Sequence, residues 1–365
     1  MSRTRLKDVV IQQKSSLKLS DLKKHGAFPV FGASGLVGYR DFFQSENEAV
    51  AIIKDGAGIG RVSMLPKHSS VLGTMQMLEP KEGISNSYLF YYLSHLKLEK
   101  SFTGSTIPHI YFKNYSDSSF PDVSYNQQCQ VAEKLDAIRK SIEQKSNQLS
   151  ILDSLVKSRF MEMFGDPIQN EKAWNSAILN EVTDVRDGTH DSPKYHDRGY
   201  PLVTSKNLID GKIDFATCQL ISEEDYLHFN DRSRVDDGDI LMPMIGTIGG
   251  AIIVKKDREF SIKNVALIKF TKDNTKINRT FILYLLNSDS MNNYFKLTKK
   301  GGTQKFIALG VIRNIPIIVP PIELQNEFAK FANQIDKSRF VVQKEIKDLQ
   351  ELLASKMDEY FGGEE

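Results

Sequence analysis

The chain has 365 residues, more than one ordinary core organises, so two domains of usual size are expected. Hydrophobic residues make up 40% and charged residues 26%, which excludes a largely disordered chain. With 48 Lys and Arg against 46 Asp and Glu, the formal charge of +2 does not announce a nucleic-acid binder, so any DNA-binding face has to come from local clustering.

The N-terminus, MSRTRLKDVV, lacks an apolar signal core, and the most apolar run, residues 315–322, is short and broken by Pro316, Pro320 and Pro321, so no membrane span is expected. Cys129 and Cys218 lie in unlike contexts and form no CxxC or Cys/His cluster; a reducing cytoplasm suits both as free thiols. The first half opens on a glycine-punctuated segment, residues 26–39, followed by the apolar strand Ala49-Val-Ala-Ile-Ile53 and the turn Gly56-Ala-Gly-Ile-Gly60. Glycines after a strand suit a phosphate loop, but residues 61–65 read as a second strand and not as a helix, which favours a hairpin. Residues 85–97 then read as a helix, with Tyr88, Leu89, Tyr92, Leu93 and Leu96 as its apolar face.

Beyond the loop Gly104-Ser105-Thr106, Val131, Leu135, Ile138, Ile142, Leu149, Leu152, Val156 and Met163 recur at alternating three- and four-residue steps, the heptad seam of a coiled coil, interrupted by Lys145 and Arg159. The run ends at Phe164-Gly165 and contains no proline or glycine.

The second half repeats this order. After Asp187-Gly-Thr-His190 and Leu202-Val-Thr-Ser-Lys-Asn207, which have no sequence counterpart in the first half, Asp236-Asp237-Gly238-Asp239 reads as a turn before the strand-like Ile240-Leu241-Met242; the remaining ligands of a calcium loop are missing. The turn Ile245-Gly-Thr-Ile-Gly249 precedes a strand-like 251–254, and residues 278–286 read as a helix faced by Phe281, Ile282, Leu285 and Leu286. A second seam follows: Phe328, Ala332, Ile335, Val342, Ile346, Leu349, Leu353 and Tyr360, interrupted by Arg339 and Lys356. Gly104 recurs as Gly301 and Phe164 as Phe361, one displacement of 197 positions that also pairs Gln128 with Gln325, Ile138 with Ile335 and Leu152 with Leu349.

Each run, ~36 residues, spans ~54 Å as a helix, too long for a narrow apolar stripe to stay unpartnered. The two pairing as a coiled coil is the economical solution; two ordinary amphipathic helices, each lying on its own domain, are the alternative. A shared scaffold with divergent fronts implies two different targets.

In this order, Phe28-Pro-Val-Phe-Gly32 with Gly38-Tyr39, the GAGIG and GTIG turns, Asp187-Gly-Thr-His190, Thr204-Ser-Lys-Asn207, the Gly-Ser and Gly-Thr loops, Ile315-Pro316 with Pro320-Pro321, and both Phe-Gly helix ends make the chain resemble, over essentially its whole length, the specificity subunit of a type I restriction-modification system. The resemblance implies an α/β protein of two related target-recognition domains, each with a long C-terminal helix, the helices forming an antiparallel coiled coil with approximate twofold symmetry. Expected bounds are 1–125 and 166–322 for the recognition domains and 126–165 and 323–365 for the spacer helices. It further implies that each domain reads half of an interrupted site in double-stranded DNA, that two modification subunits dock on the scaffold and carry adenine methylation with S-adenosylmethionine, and that restriction subunits are an open addition. This chain itself is expected to be a non-catalytic cytoplasmic protein without cofactor or metal. No Asn/Asp-Pro-Pro-aromatic loop occurs (Val319-Pro-Pro-Ile322 lacks the polar first residue), and no Ser/His/Asp or HExxH arrangement is defensible from spacing.

Affinity for DNA comes largely from phosphate contacts and specificity from side chains at base edges. Candidates in the first domain are Arg40, Lys54, Arg61, Ser105, Thr106, His109 and Lys113, with core packing as the alternative for His109 and Tyr111. In the second they are Arg186, Thr189, His190, Lys194, Lys206, Asn207, Lys300, Gln304 and Lys305; Asn207 and Gln304 have the amide geometry that pairs with adenine. For each, a solvated surface position is the competing reading. Lys145, Arg159, Arg339 and Lys356 either lay their stems on the seam, or set register, or face a partner. The competing functions are a coiled-coil adaptor that reads no nucleic acid and a nucleotide-dependent enzyme using the GAGIG loop.

Overall fold

Strands and helices follow from where the chain alternates and where it keeps a 3.6-residue period. A computed structural model describes residues 2–56, 58–100, 108–209, 211–245, 250–271, 275–298 and 306–363. In chain order the first half holds β1 (Arg3–Arg5), α1 (Leu6–Val9), β2 (Val10–Gln13), β3 (Phe28–Gly32), β4 (Gly35–Arg40), β5 (Ala49–Ile53), β6 (Val62–Leu65), β7 (Ser70–Val71), β8 (Met75–Pro80), α2 (Asn86–His95), β9 (Ser119–Pro121) and the long α3 (Tyr125–Phe164). The second holds β10 (Asn175–Ile178), α4 (Leu179–Val182), β11 (Asp184–Asp187), β12 (Tyr200–Thr204), β13 (Leu208–Ile209), β14 (Lys212–Ile213), β15 (Gln219–Ile221), α5 (Glu223–Ser233), β16 (Ile240–Pro243), β17 (Ile252–Ile253), β18 (Ser261–Lys263), β19 (Val265–Lys269), α6 (Arg279–Leu286), α7 (Asp289–Thr298), α8 (Leu309–Arg313), β20 (Pro316–Val319) and the long α9 (Ile322–Phe361). The chain separates into two compact units, Met1–Asn147 with Val342–Glu365, and Gln148–Val341. Each long helix therefore contributes one half to each unit.

In the first unit a sheet of order β2-β8-β5-β6 is antiparallel throughout. Its central strand β5, AVAII, is buried at every position, as expected of a strand covered on both faces. Val50, Ile52 and Leu78 pack on one face with Tyr88, Leu89, Tyr92 and Leu93 of α2 and with Ala132 and Leu135 of α3. Ala49, Ala51, Ile53, Met75 and Met77 fill the other face, where Phe31 of the small β4-β3-β7 sheet and Ala33 of its β3–β4 turn close over them. Gly56, Gly58, Ile59 and Gly60 of the GAGIG segment lie in the β5–β6 turn: the Gly60 N–H donates to the Ile53 carbonyl at 2.8 Å and the Ile53 N–H to the Arg61 carbonyl at 3.0 Å. Gly60 has φ +83° and a Cβ there would lie 2.3 Å from the Glu99 backbone nitrogen, so glycine is required twice over. A strand follows, not a helix, and the hairpin reading holds against the phosphate-loop reading.

The second unit repeats this plan. Its sheet runs β11-β19-β16-β17 and its companion β15-β12-β18, matching β2-β8-β5-β6 and β4-β3-β7 position for position, down to the parallel pairing of β12 with β18 and of β3 with β7. The edge pairs β1–β9 and β10–β20 also correspond. This goes further than the sequence comparison: the two fronts, unlike in sequence, share strand topology, and the second inserts β13, β14 and α5 between β12 and β16. Among the described residues the other pairings between these strands are antiparallel, and one isolated bridge, Thr189 to Lys263, is parallel, so helix and sheet are mixed without the βαβ winding of a doubly wound fold.

Both seams are visible as burial. In α3 Val131, Leu135, Ile138, Ile142, Leu149, Leu152, Val156 and Met163 are buried or half-buried, and in α9 Phe328, Ala332, Ile335, Val342, Ile346, Leu349, Leu353 and Tyr360 are likewise. The basic interruptions carry ion pairs. Lys145 meets Glu345 at 2.6 Å in the first unit; in the second, Arg159 meets Glu327 at 3.0 Å and Arg339 meets Asp153 at 2.7 Å. Lys356 pairs within its own helix, with Glu359. The Phe-Gly ends are buried anchors. Phe164 lies 4.8 Å from the Phe281 ring of α6 and 5.1 Å from Phe160, while Phe361 lies 5.0 Å from the Tyr88 ring of α2.

The repeat also explains Gln128 and Gln325, which are 2% and 0% exposed. The Gln128 Oε1 accepts from the Ser85 N–H at 2.9 Å, and its Nε2 donates to the carbonyls of Gly83 and Val123. The Gln325 Oε1 accepts from the Asn278 N–H at 2.9 Å, and its Nε2 donates to the carbonyls of Lys276 and Pro320 at 3.0 and 2.8 Å. Ser85 and Asn278 are the N-caps of α2 and α6, so one amide in each repeat ties the start of a long helix to the start of the short helix beneath it.

Candidate nucleic-acid interface

In the first unit β2, β8 and the segment after residue 107 enclose a cleft of about 250 Å³, lined by Gln12, Gln13, Lys14, Ser15, Lys54, Gln76, His109 and Tyr111 together with the apolar Met75, Ile110 and Phe112. Lys54 and His109, both sequence candidates, thus share one cleft. The Ile110 N–H donates to the Lys54 carbonyl at 3.0 Å, which fixes the two segments side by side. His109 is hydrogen-bonded through Nδ1 to the Asp55 carboxylate and lies 4.0 Å from the Tyr111 ring, so it is oriented rather than buried in the core. Lys113 Nζ lies 5.4 Å from the Tyr111 ring centroid. Arg61 is exposed at the end of the β5–β6 turn, and Arg40, on the smaller sheet, stacks its guanidinium 3.6 Å from the centre of the Phe42 ring. Ser105 and Thr106 lie outside the described residues.

In the second unit Asp187-Gly-Thr-His190 forms a tight polar knot at the end of β11. The buried Asp187 carboxylate accepts from Arg232 and lies 3.0 Å from His190 Nε2, while His190 Nδ1 lies 2.6 Å from Asn264 Oδ1. Gly188 is needed for close approach: a Cβ there would lie 2.3 Å from the Ile262 carbonyl oxygen. Thr189 bonds with Asp191, its Oγ1 accepting from the Asp191 N–H at 3.0 Å. Arg186 is held by Asp184 at 2.6 Å and by the Arg232 carbonyl at 3.0 Å. Arg186, Thr189 and His190 are therefore gathered at one edge, with the His190 ring exposed. Lys194 and Lys206 are exposed on neighbouring loops.

Asn207 departs from its expected geometry. It is 5% exposed; its Oδ1 accepts from the Thr204 N–H and hydroxyl at 2.9 and 2.8 Å, and its Nδ2 donates to Thr217 Oγ1 at 3.2 Å. The amide is spent on a turn instead of being offered at the surface, as Asn commonly does when it competes with the backbone for local bonds. Lys300, Gln304, Lys305 and most of the GTIG turn lie outside the described residues.

The acidic run before β16 is an ion-paired turn. Lys269 Nζ lies 2.8 Å from Asp236 and 2.7 Å from Asp239; its hydrogen bond holds the Asp236 carboxyl below its ordinary range, whereas burial pushes Asp239 up. Gln12, Gln13 and Gln76 in the first unit, and Arg232 and Asn264 in the second, were not among the residues singled out from the sequence; Asp187 stood out only as part of its motif. The one local signal for the first set is a pair of adjacent amides closing the otherwise apolar strand Val10–Gln13.

One scaffold built twice, carrying different polar surfaces, defines a two-module binding protein. The chain belongs to the type I restriction-modification DNA specificity family: the model of the Type I restriction modification DNA specificity domain matches residues 2–150 and again 171–351. It is 26% identical over 334 residues to the type I restriction enzyme MjaVIII specificity subunit of Methanocaldococcus jannaschii, covering 85% of this chain and 77% of that protein. It is 22% identical to the EcoBI specificity subunit of Escherichia coli, over 74% of this chain and 63% of that one. The S subunit of a type I restriction-modification system from M. genitalium has a similar fold, at TM-score 0.60 and 15% identity, covering 100% of this chain and 96% of that chain.

Proposed function

We propose that each of the two units binds one half of an interrupted double-stranded DNA site, and that this chain directs adenine methylation, or restriction, by partner subunits while carrying no chemistry of its own. The observation that carries this reading is the duplication: one scaffold, with the same buried Gln and Phe-Gly anchors in each copy, presents different polar fronts. Proteins that read two unlike half-sites need that combination. On this reading the two seams pair as an antiparallel coiled coil, the domain bounds are those expected from the sequence, and Lys54, Arg61, His109, Lys113, Arg186, Thr189, His190, Lys194 and Lys206 supply contacts to DNA together with the Gly-Ser and Gly-Thr loops.

Modification subunits, two of them and binding S-adenosylmethionine, are proposed to dock on the helices. Ile151 and Phe340, at 66% and 67% exposure, and Val341 are large apolar residues that these helices leave in water. On this reading these side chains are where a modification subunit covers the helices.

The test is co-purification of this chain with a cognate modification subunit, followed by methylation of a randomised DNA library. A split, adenine-containing motif whose first half alone changes when the first front is exchanged supports the reading. A stable complex without sequence preference sinks it. Removing one heptad from each long helix, ~10 Å at the standard rise, is expected to change the permitted gap between half-sites; an unchanged gap refutes the spacer role.

A further inference from the structure

The amide cluster in the first unit's cleft has an orientation that chemistry dictates. Gln76 is 7% exposed, and its Nε2 lies 3.0 Å from two backbone carbonyl oxygens, those of Gln13 and Met77. A carbonyl only accepts, so the amide nitrogen of Gln76 faces inward and its Oε1 faces the cleft. That oxygen accepts from Gln12 Nε2 at 2.9 Å. Gln12, exposed on the edge strand β2, thereby has its amide nitrogen committed to Gln76, and no hydrogen bond among the described residues uses its Oε1 or its second amide N–H. An acceptor beside a donor, at fixed spacing on an exposed edge, is the pattern complementary to the N6–H and N7 of adenine in the major groove.

Resting on the specificity-subunit reading, we propose that Gln12 reads an adenine in the first half-site, with Gln76 as the positioning residue that holds its amide in the reading orientation. Lys14 and Lys54 line the same cleft and put beside Gln12 positive charge of the sign that a phosphate flanking the base pair requires. Pre-orientation is what separates Gln12 from an ordinary surface glutamine. A free amide flips between two faces at no cost, whereas this one has a single satisfied arrangement because the backbone carbonyls beneath Gln76 admit no other.

The test uses this chain co-purified with its modification subunit and a randomised DNA library read out by methylation. Gln12→Ala is expected to lower discrimination for adenine at one position of the first half-site by about five- to hundredfold, leaving the second half-site unchanged. Gln12→Glu is expected to move preference at that position towards cytosine, whose N4 amine donates to a carboxylate. Gln76→Met keeps the volume and removes the relay; it should relax the same position while the salt dependence of binding stays as in the parent, which a merely structural role would not single out. A parent complex with a clear split motif, and a Gln12→Ala complex with the identical motif, overturns this proposal alone. A parent complex without sequence preference overturns the specificity reading and this proposal together.

Discussion

Replacing Gln325 by Ala tests whether the repeated amide is the joint of each unit. The side chain is 0% exposed, accepts from the Asn278 N–H and donates to the carbonyls of Lys276 and Pro320. Truncation removes all three bonds and strands at least the α6 cap N–H and the Pro320 carbonyl in a site without ready solvent. At about 1–3 kcal/mol per buried group left unsatisfied, the expected loss is about 3–5 kcal/mol. At about 2–4 °C per kcal/mol for a unit of this size, the second unit's thermal midpoint should fall by roughly 6–20 °C. Far-ultraviolet circular dichroism against temperature, with hydrogen exchange to locate the loss, is the assay. Protection should fall in α6 and at the start of α9, and Gln128→Ala should do the same to α2 and the start of α3. Gln325→Glu is the sharper control, because a carboxylate keeps the acceptor and loses the donor. A change below about 0.5 kcal/mol in both alanine variants, the range of ordinary surface substitutions, refutes the reasoning.

Phe164→Ala, which empties a cluster shared with Phe160, Phe281 and Phe328, is expected to cost about 3–5 kcal/mol, measured by urea unfolding of the purified chain. Lys145→Glu should lower stability by less than about 1 kcal/mol, since both partners of the Lys145–Glu345 pair are about a third or more exposed, and adding Glu345→Lys should restore it in a double-mutant cycle. Burial holds the His95 imidazole below its ordinary value of 6.5 despite the nearby Asp358 carboxylate, so the neutral ring is favoured in the folded state. Stability from this source is present above pH 6.5 and lost as pH falls through the lower folded value; His95→Gln should flatten that part of the stability profile. Phe340→Asp with Val341→Asp should weaken co-purification with a modification subunit while leaving the unfolding midpoint near that of the parent; unaltered retention on the affinity column would argue against docking there.

The two long helices were legible in the sequence because a heptad stripe is a local property: each seam position reports its neighbours three and four residues away and nothing more distant. Gln128 and Gln325 stood out as a matched pair, but their role did not, since it depends on which orphan N–H and carbonyl groups the fold brings to them. Phe160 escaped notice because it lies off the seam; its half of α3 serves a module core as well as a helix partner. Asn207 has the right functional group for a base edge, and only the turn geometry shows where that group is spent. The amide chain from Gln76 to Gln12 crosses two strands, with no spacing signature that connects residue 12 to residue 76.

Duplication, helix length and family were therefore determined by the sequence itself, through periodicity and one fixed displacement that survive without knowledge of contacts. The shared topology of the two fronts, the burial of the paired glutamines and the orientation of Gln12 were decided only in the tertiary structure. Strand pairing and hydrogen-bond partnership depend on residues far apart in the chain, and divergent side chains can satisfy the same backbone ladder.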